Sequence, residues 1–535
     1  MKLRAFAASV AALIAWLPLH AAEPNMGVIS FENSGAPAAQ ADFLAGLAAL
    51  HNFQYPVAAR AFQRAQTADP QFALAYWGEA MSYNHAVWHE QDPVTARAAL
   101  AKLGATPETR AAKAPTPREK AYLAAVEILF GEGEKIDRDR RYALAMEQLH
   151  AKYPDDVDAT CFYALALLGT SDAGRDVPTY MRAAALMEEV FERNPQHPGA
   201  AHYLIHSVDD SVHAPLGLRA AYAYAKIAPG SPHAQHMTSH IFLALGMWDE
   251  TAAANERTIA LAKGKVGCGH AVTWLSYAYL QQGRFPDARR LIDGCSEEMR
   301  SNPVMPEHEM GPQSALDSDS SSAASFAAMR SRYLIDSGDW SGPVAAMKVN
   351  VEGLITAEFT RDWVDAYSAV RFGKLDAAIP AIERSKNSLK RYVAAATAAG
   401  IAPDAPARRL AKIEEQQLDG LLLLKRGRTK EGIALLSEAA AGERTSPMEF
   451  GPPSLDKPAN ELLGEVLLEQ DRAKEACAAY QSAQTLAPGR GQSLIGLSKC
   501  ARQLGNTEVA DNADARLAKV RLREALASYI TPASR

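Results

Sequence analysis

Residues 46–70 read GLAALHNFQYPVAARAFQRAQTADP, and residues 464–488 read GEVLLEQDRAKEACAAYQSAQTLAP. The two share one pattern: Gly46, Ala58, Phe62, Ala65 and Pro70 recur as Gly464, Ala476, Tyr480, Ala483 and Pro488 with the same offsets. Small residues at these positions let two paired helices approach, the aromatic ring fills the gap between them, and the proline stops the second helix at the turn. Such a hairpin leaves one face open, which the next hairpin covers. Further units end at Pro154, Pro195 and Pro229, and the pattern continues from Tyr277 to Ile292 through the turn Gln281-Gln282-Gly283. No sustained period-two alternation bounded by hairpin turns is present. The expected fold class is therefore all-α, a solenoid of helical hairpins.

Outward from the repeats, the chain begins with Lys2 and Arg4 ahead of an apolar run from Ala5 to Leu19 that ends in Ala21 and Ala22. This reads as a signal peptide over residues 1–22 and implies a periplasmic or secreted protein. The run is shorter than the roughly 20 residues a spanning helix needs, and no later stretch is apolar enough, so no membrane span is expected. Lys and Arg number 56 against 62 Asp and Glu, without a basic stripe, so nucleic acid is not an expected partner. The spacing divides the mature chain into an N-terminal array over 23–300, a loop over 301–322 rich in Pro, Ser and Asp, and a C-terminal helical array over 323–535. A second interruption, Glu443 to Pro458, carries Pro447, Pro452, Pro453 and Pro458.

The residues that point to chemistry are histidines. Eight of the 14 fall between His197 and His270. His202 and His206 are four apart, His236 and His240 repeat that pair 34 residues later, and His270 follows His236 by another 34. An i,i+4 pair puts two imidazoles on one helix face, and pairs on equivalent helices of neighbouring repeats face the same side of the stack. That set of nitrogen donors suits a transition metal such as copper, zinc or iron. His85 and His89 share the four-residue spacing, with His51 lying 34 before His85, but in a different phase of the repeat. A lone helical histidine is more often an ordinary packing residue. Yet the C-terminal repeats have none at these positions, and His is not a standard packing residue of such hairpins. The candidate metal ligands are thus His202, His206, His236, His240 and His270, with His85 and His89 as a separate pair and His51 and His213 as weaker candidates.

Asp209 and Asp210, one turn beyond His206, are placed to accept a proton from a ligating imidazole, or to form a solvated turn. Met305 to Met310 holds two thioethers beside His308, a set that suits Cu(I). The five cysteines form no paired CxxC motif. Cys268 opens one expected helix and Cys295 closes its antiparallel partner, which places them at the same end of a hairpin, and Cys477 and Cys500 stand in a similar relation. Both pairs are candidate disulfides, and Cys161, seven residues past Pro154 in the phase of His202 and His236, is then left over as a soft ligand or, more in keeping with a lone cysteine, a buried free thiol. HExxH, Gly-rich phosphate loops and GxSxG are absent, which disfavours hydrolase or nucleotide chemistry of those types.

The repeat spacing resembles the tetratricopeptide repeat family. The stretches HPGAAHYLIHSVDD (197–210), HAQHMTSHIFLALGMWDE (233–250) and MEFGPPSLDKPANELLGEVLL (448–468) resemble those of exported bacterial members of it. The resemblance implies a right-handed superhelix whose first helices line a concave groove that holds a peptide or protein partner. By it, His202, His206, His236, His240 and His270 would face that groove. Two readings follow. One is a metalloprotein, a carrier or a metal-dependent enzyme; the other is a noncatalytic scaffold for a peptide or protein in the cell envelope.

Overall fold

The computed structural model describes residues 25–171, 174–262, 267–301, 321–398, 406–447 and 450–520. The signal-peptide segment, the Met305–Met310 run and nearly all of the 301–322 loop lie outside them. The described chain is a succession of antiparallel helix pairs, beginning with Pro37–His51 against Tyr55–Ala68 and ending with Gly491–Gln503 against Thr507–Val520. Extended structure among the described residues amounts to one two-stranded ladder, in which Asn84 pairs with Gln91 and His85 with Glu90. No described helix is long and apolar enough to cross a membrane.

The packing explains the sequence pattern. A Cβ on Gly46 would stand 2.9 Å from the Phe62 ring, and one on Gly78, in the next hairpin, 2.4 Å. Tyr480 is clasped in the same way by Gly464 at 2.9 Å and Gly496 at 2.1 Å. Each aromatic thus occupies space that only glycine leaves open, on its own hairpin and on the following one. Such contacts transmit the stacking from unit to unit.

The hydrophobic core forms two large clusters, one from Met26 to Ala244 and one from Leu243 to Leu517. The second runs across the 301–322 segment without a break, since Phe285–Ser301 and Ser322–Ser337 pack on each other. Late parts of the chain also return to its middle. The Trp248 indole N–H donates to Gly489 O at 3.0 Å, and Arg332 meets Asp456 at 3.0 Å. Arg490, 1% exposed, bonds Asp336 at 2.5 Å, Glu461 at 2.9 Å and the Tyr277 hydroxyl at 3.2 Å. Lys457 joins Glu461 at 2.8 Å and Glu465 at 2.5 Å, so both cations of this knot meet carboxylates. Disulfides link Cys268 to Cys295 and Cys477 to Cys500, with Cα separations of 4.4 and 5.5 Å, and Cys161 is a buried free thiol.

Candidate metal centre

Two helices in equivalent repeat positions carry the histidine pairs: Pro198–Val208, capped by His197, and Pro232–Ala244, capped by Ser231. Each has proline in its first turn, where the missing N–H costs nothing. The third, His270–Gln281, starts at His270 directly after Gly269, whose φ of +119° only glycine adopts freely. The Cys268–Cys295 bridge anchors the chain two residues before His270. These helices meet where the two hydrophobic clusters adjoin.

All five phase-related histidines come together. His236, His240 and His270 form one set, and within it the ligand atoms all lie within 4.8 Å of one another. His202 and His206 form a second set of the same tightness, completed by His233. His202, His206, His236 and His240 are between 0% and 4% exposed, which differs from the open groove the repeat resemblance implies. The reason is a cover supplied by the second proline-rich interruption. Phe450 stacks on His240 at 5.1 Å, and Gly451, at φ +96°, lies so close to Trp274 that a Cβ would approach the indole to 2.6 Å.

Hydrogen bonds fix which nitrogen carries the proton. His240 Nδ1 donates to Asp209 Oδ2 at 2.8 Å. His236 Nδ1 donates to Asn255 Oδ1 at 2.7 Å, and the Asn255 amide is oriented by its own N–H donation to Thr251 O at 2.9 Å. Both Nε2 atoms therefore present lone pairs, and they face each other at 3.3 Å. Two acceptors at that distance repel unless a cation lies between them. Nitrogens each about 2.0–2.1 Å from one tetrahedral ion would be separated by about 3.3 Å. His202 Nδ1 donates to the carbonyl of His51 at 2.7 Å, which turns its Nε2 toward His233 Nε2 at 3.2 Å. His206 Nε2 is buried without a hydrogen-bond partner.

Burial is the largest cause of the low histidine pKa values here. It and the neighbouring imidazoles hold His202 and His233 well below the ordinary range. Burial likewise pushes His236 and His270 down to about 3, and takes His240 to about 3 against the opposing effect of Asp209. At neutral pH these rings are neutral, the form that binds a metal. Burial would raise Asp209, but the Arg175 charge and the hydrogen bonds from His206 and His240 outweigh it and hold the carboxylate well below its usual range. Asp209 is thus the orienting carboxylate of the cluster, as its place in the sequence suggested. Asp210 instead pairs with Arg175 and with His213 at 2.8 Å.

The expectation of a helical pair at His85 and His89 is corrected. His85 lies in the two-residue strand and stacks on Tyr55 at 4.0 Å, while His89 follows a single 3-10 turn with φ +55°. Four residues of non-helical backbone do not bring their rings to one face. His85 lies apart from the cluster. His89 lines a cavity of about 560 Å³ together with His270, Trp274 and Phe450. His51 reaches Asp158 at 2.8 Å and the Tyr203 hydroxyl at 3.0 Å, and His197 reaches the same Asp158 oxygen at 3.4 Å. That trio is an internally satisfied hydrogen-bond set. Sequence reasoning missed His233, because its equivalent one period earlier is Gly199 and no pairing rule singles it out.

The molecule this defines is a helical-hairpin solenoid with a buried polyhistidine centre. No family model and no curated protein matches the chain. Solved structures with similar helical arrays include yeast Tom70, at 10% identity and TM-score 0.31 over 86% of this chain and 88% of that one. Human IFIT1 bound to m7Gppp-AAAA gives 13% and 0.33 over 92% and 91%. The TPR domain of P58(IPK) gives 13% and 0.23 over 88% and 99%. Likenesses this distant carry no weight on function, and the tetratricopeptide-type description rests on the chain's own hairpins and their spacing.

Proposed function

We propose that this chain is a transition-metal protein in which the Nε2 atoms of His236 and His240, with a ring nitrogen of His270, hold an ion. The supporting observation is the pair of lone-pair-bearing nitrogens of His236 and His240, 3.3 Å apart, each with its other ring nitrogen committed to an acceptor. Three imidazoles suit zinc, copper or iron, and they leave a coordination position for water or substrate. His270 borders the 560 Å³ cavity, so that position has room for a small molecule, which favours a metal-dependent reaction over simple storage. The two disulfides and the leader-like first segment support an oxidising, extracytoplasmic setting. A peptide- or protein-binding groove would have to use faces other than the buried histidines.

The test is the metal content of the untagged mature chain beside His236→Ala/His240→Ala, with circular dichroism as the fold control. Near-stoichiometric metal in the parent, reduced in the variant at unchanged helicity, is expected. Metal absent from both after exposure to copper, zinc and iron salts would overturn the assignment.

A further inference from the structure

We infer that the centre takes two metal ions: a second one sits on His202, His206 and His233, and His233 is a ligand as essential to it as either member of the helical pair. The inference rests on the metal reading above but draws on different residues.

The donors cannot serve one ion. Ligands at about 2.1 Å from a common ion lie no more than about 4.2 Å apart even across it. The two triads are separate sets under a looser limit of 4.8 Å, and no four histidines among the described residues join within it. Each triad is also complete in its own terms. In the second, His202 Nδ1 is committed as a donor to a carbonyl, which can only accept, so its Nε2 is a lone pair. That nitrogen stands 3.2 Å from His233 Nε2, the spacing two ligands of one tetrahedral ion would have. His206 is 2% exposed, its Nδ1 is 3.6 Å from Asp209, and its Nε2 is a buried polar atom with no partner. A buried acceptor left unmatched costs free energy that an ion would recover.

Asp209 links the two ions. Its Oδ2, on a carboxylate anchored by Arg175, accepts from His240 Nδ1 at 2.8 Å and stands 3.6 Å from His206 Nδ1, so one charge lies beside a ligand of each triad. Between the triads, the rings of His206 and His240 are 5.6 Å apart, edge to face. The two sites differ in surroundings. Phe53 packs on both His202, at 4.2 Å, and His206, at 5.7 Å, whereas the other triad borders the cavity through His270. Each triad has one half-buried member, His233 or His270, and it is the first that opens onto the cavity.

The experiment strips the full mature chain with a chelator, reloads it with Co(II) alone, and counts bound ions by native mass spectrometry while recording the visible spectrum. The parent should bind two equivalents. His233→Gln and His202→Ala/His233→Gln should each bind one, and His236→Ala/His270→Ala should also bind one, with a different cobalt spectrum because the other triad is loaded. Because His233 is partly exposed at the start of its helix, the single variant tests the site with little demand on folding. A parent that binds one equivalent, unchanged by His233→Gln, would overturn the second ion and leave the first intact. A parent that binds none would remove both readings together.

Discussion

Two buried polar clusters are built on the same hairpin scaffold and satisfied in different ways. Around Arg490, donors meet acceptors: guanidinium and ammonium groups face Asp336 and Glu461, and Ser493 and Gln281 complete the set. Around His206 they do not all match: His240 and His236 turn lone pairs toward each other across 3.3 Å, and His206 Nε2 has no partner. The first arrangement is closed within the chain. The second leaves lone pairs inside the chain without a matching proton. Burial alone therefore does not distinguish a structural polar cluster from a binding site; what does is whether lone pairs and protons match.

That contrast can be broken experimentally. The largest effect is expected at Arg490→Met, which leaves Asp336 and Glu461 buried without their shared cation; stability should fall by roughly 3–5 kcal/mol in chemical denaturation, with metal content per folded molecule unchanged. If metal were lost as well, the two clusters would not be independent. Asp209→Asn should do the reverse. It should weaken metal binding by about 10–100-fold, measured by competition with a chromophoric chelator, and affect both ions because one carboxylate lies beside a ligand of each triad. An effect confined to one ion would show that the triads are oriented separately.

Acid sharpens the comparison further. His236 and His240 are pushed down to about 3 in the folded chain, so the unfolded state takes up their protons first. In the metal-stripped protein their contribution is complete above about pH 6.5 and is lost as pH falls toward 3, at about 1.4 kcal/mol per pH unit for each ring. Burial opposes the ionisation of Glu461, but Arg490 and Lys457 bring it to about 2, so Glu461 keeps its share until below the ordinary carboxylate range, whereas burial raises its neighbour Asp336. Hydrogen exchange across pH 6.5 to 4.5 should therefore show the histidine helices loosening before the helix Ala459–Glu469. Simultaneous loosening would contradict the difference.

The hairpins were legible because Phe62 and Tyr480 sit in spaces that recur with the repeat, and that periodicity is written in single residues. His202, His206, His236, His240 and His270 were legible for the same reason: a period places them on one side of the stack. His233 was not, since it belongs to no period and reaches the cluster only through the geometry of a helix start. The pairing of His85 with His89 failed because the four-residue rule presupposes a helix, and the backbone there forms a short strand and a left-handed turn. Nor could spacing reveal the cover. Phe450 comes from a stretch that reads as a proline-rich interruption, and its contact with His240 spans 210 residues of sequence.

That last contact bears on the order in which the protein is made. Every candidate ligand precedes residue 271, whereas the residue that roofs them is number 450, and chains are synthesised from the N-terminus with early units folding first. On a chain that folds in that order, the imidazoles would gather before their roof arrives, with the pocket open from above in the interval. After Phe450 and Gly451 settle on His240 and Trp274, that side is closed, and the way left to the imidazoles is the cavity that His270 borders.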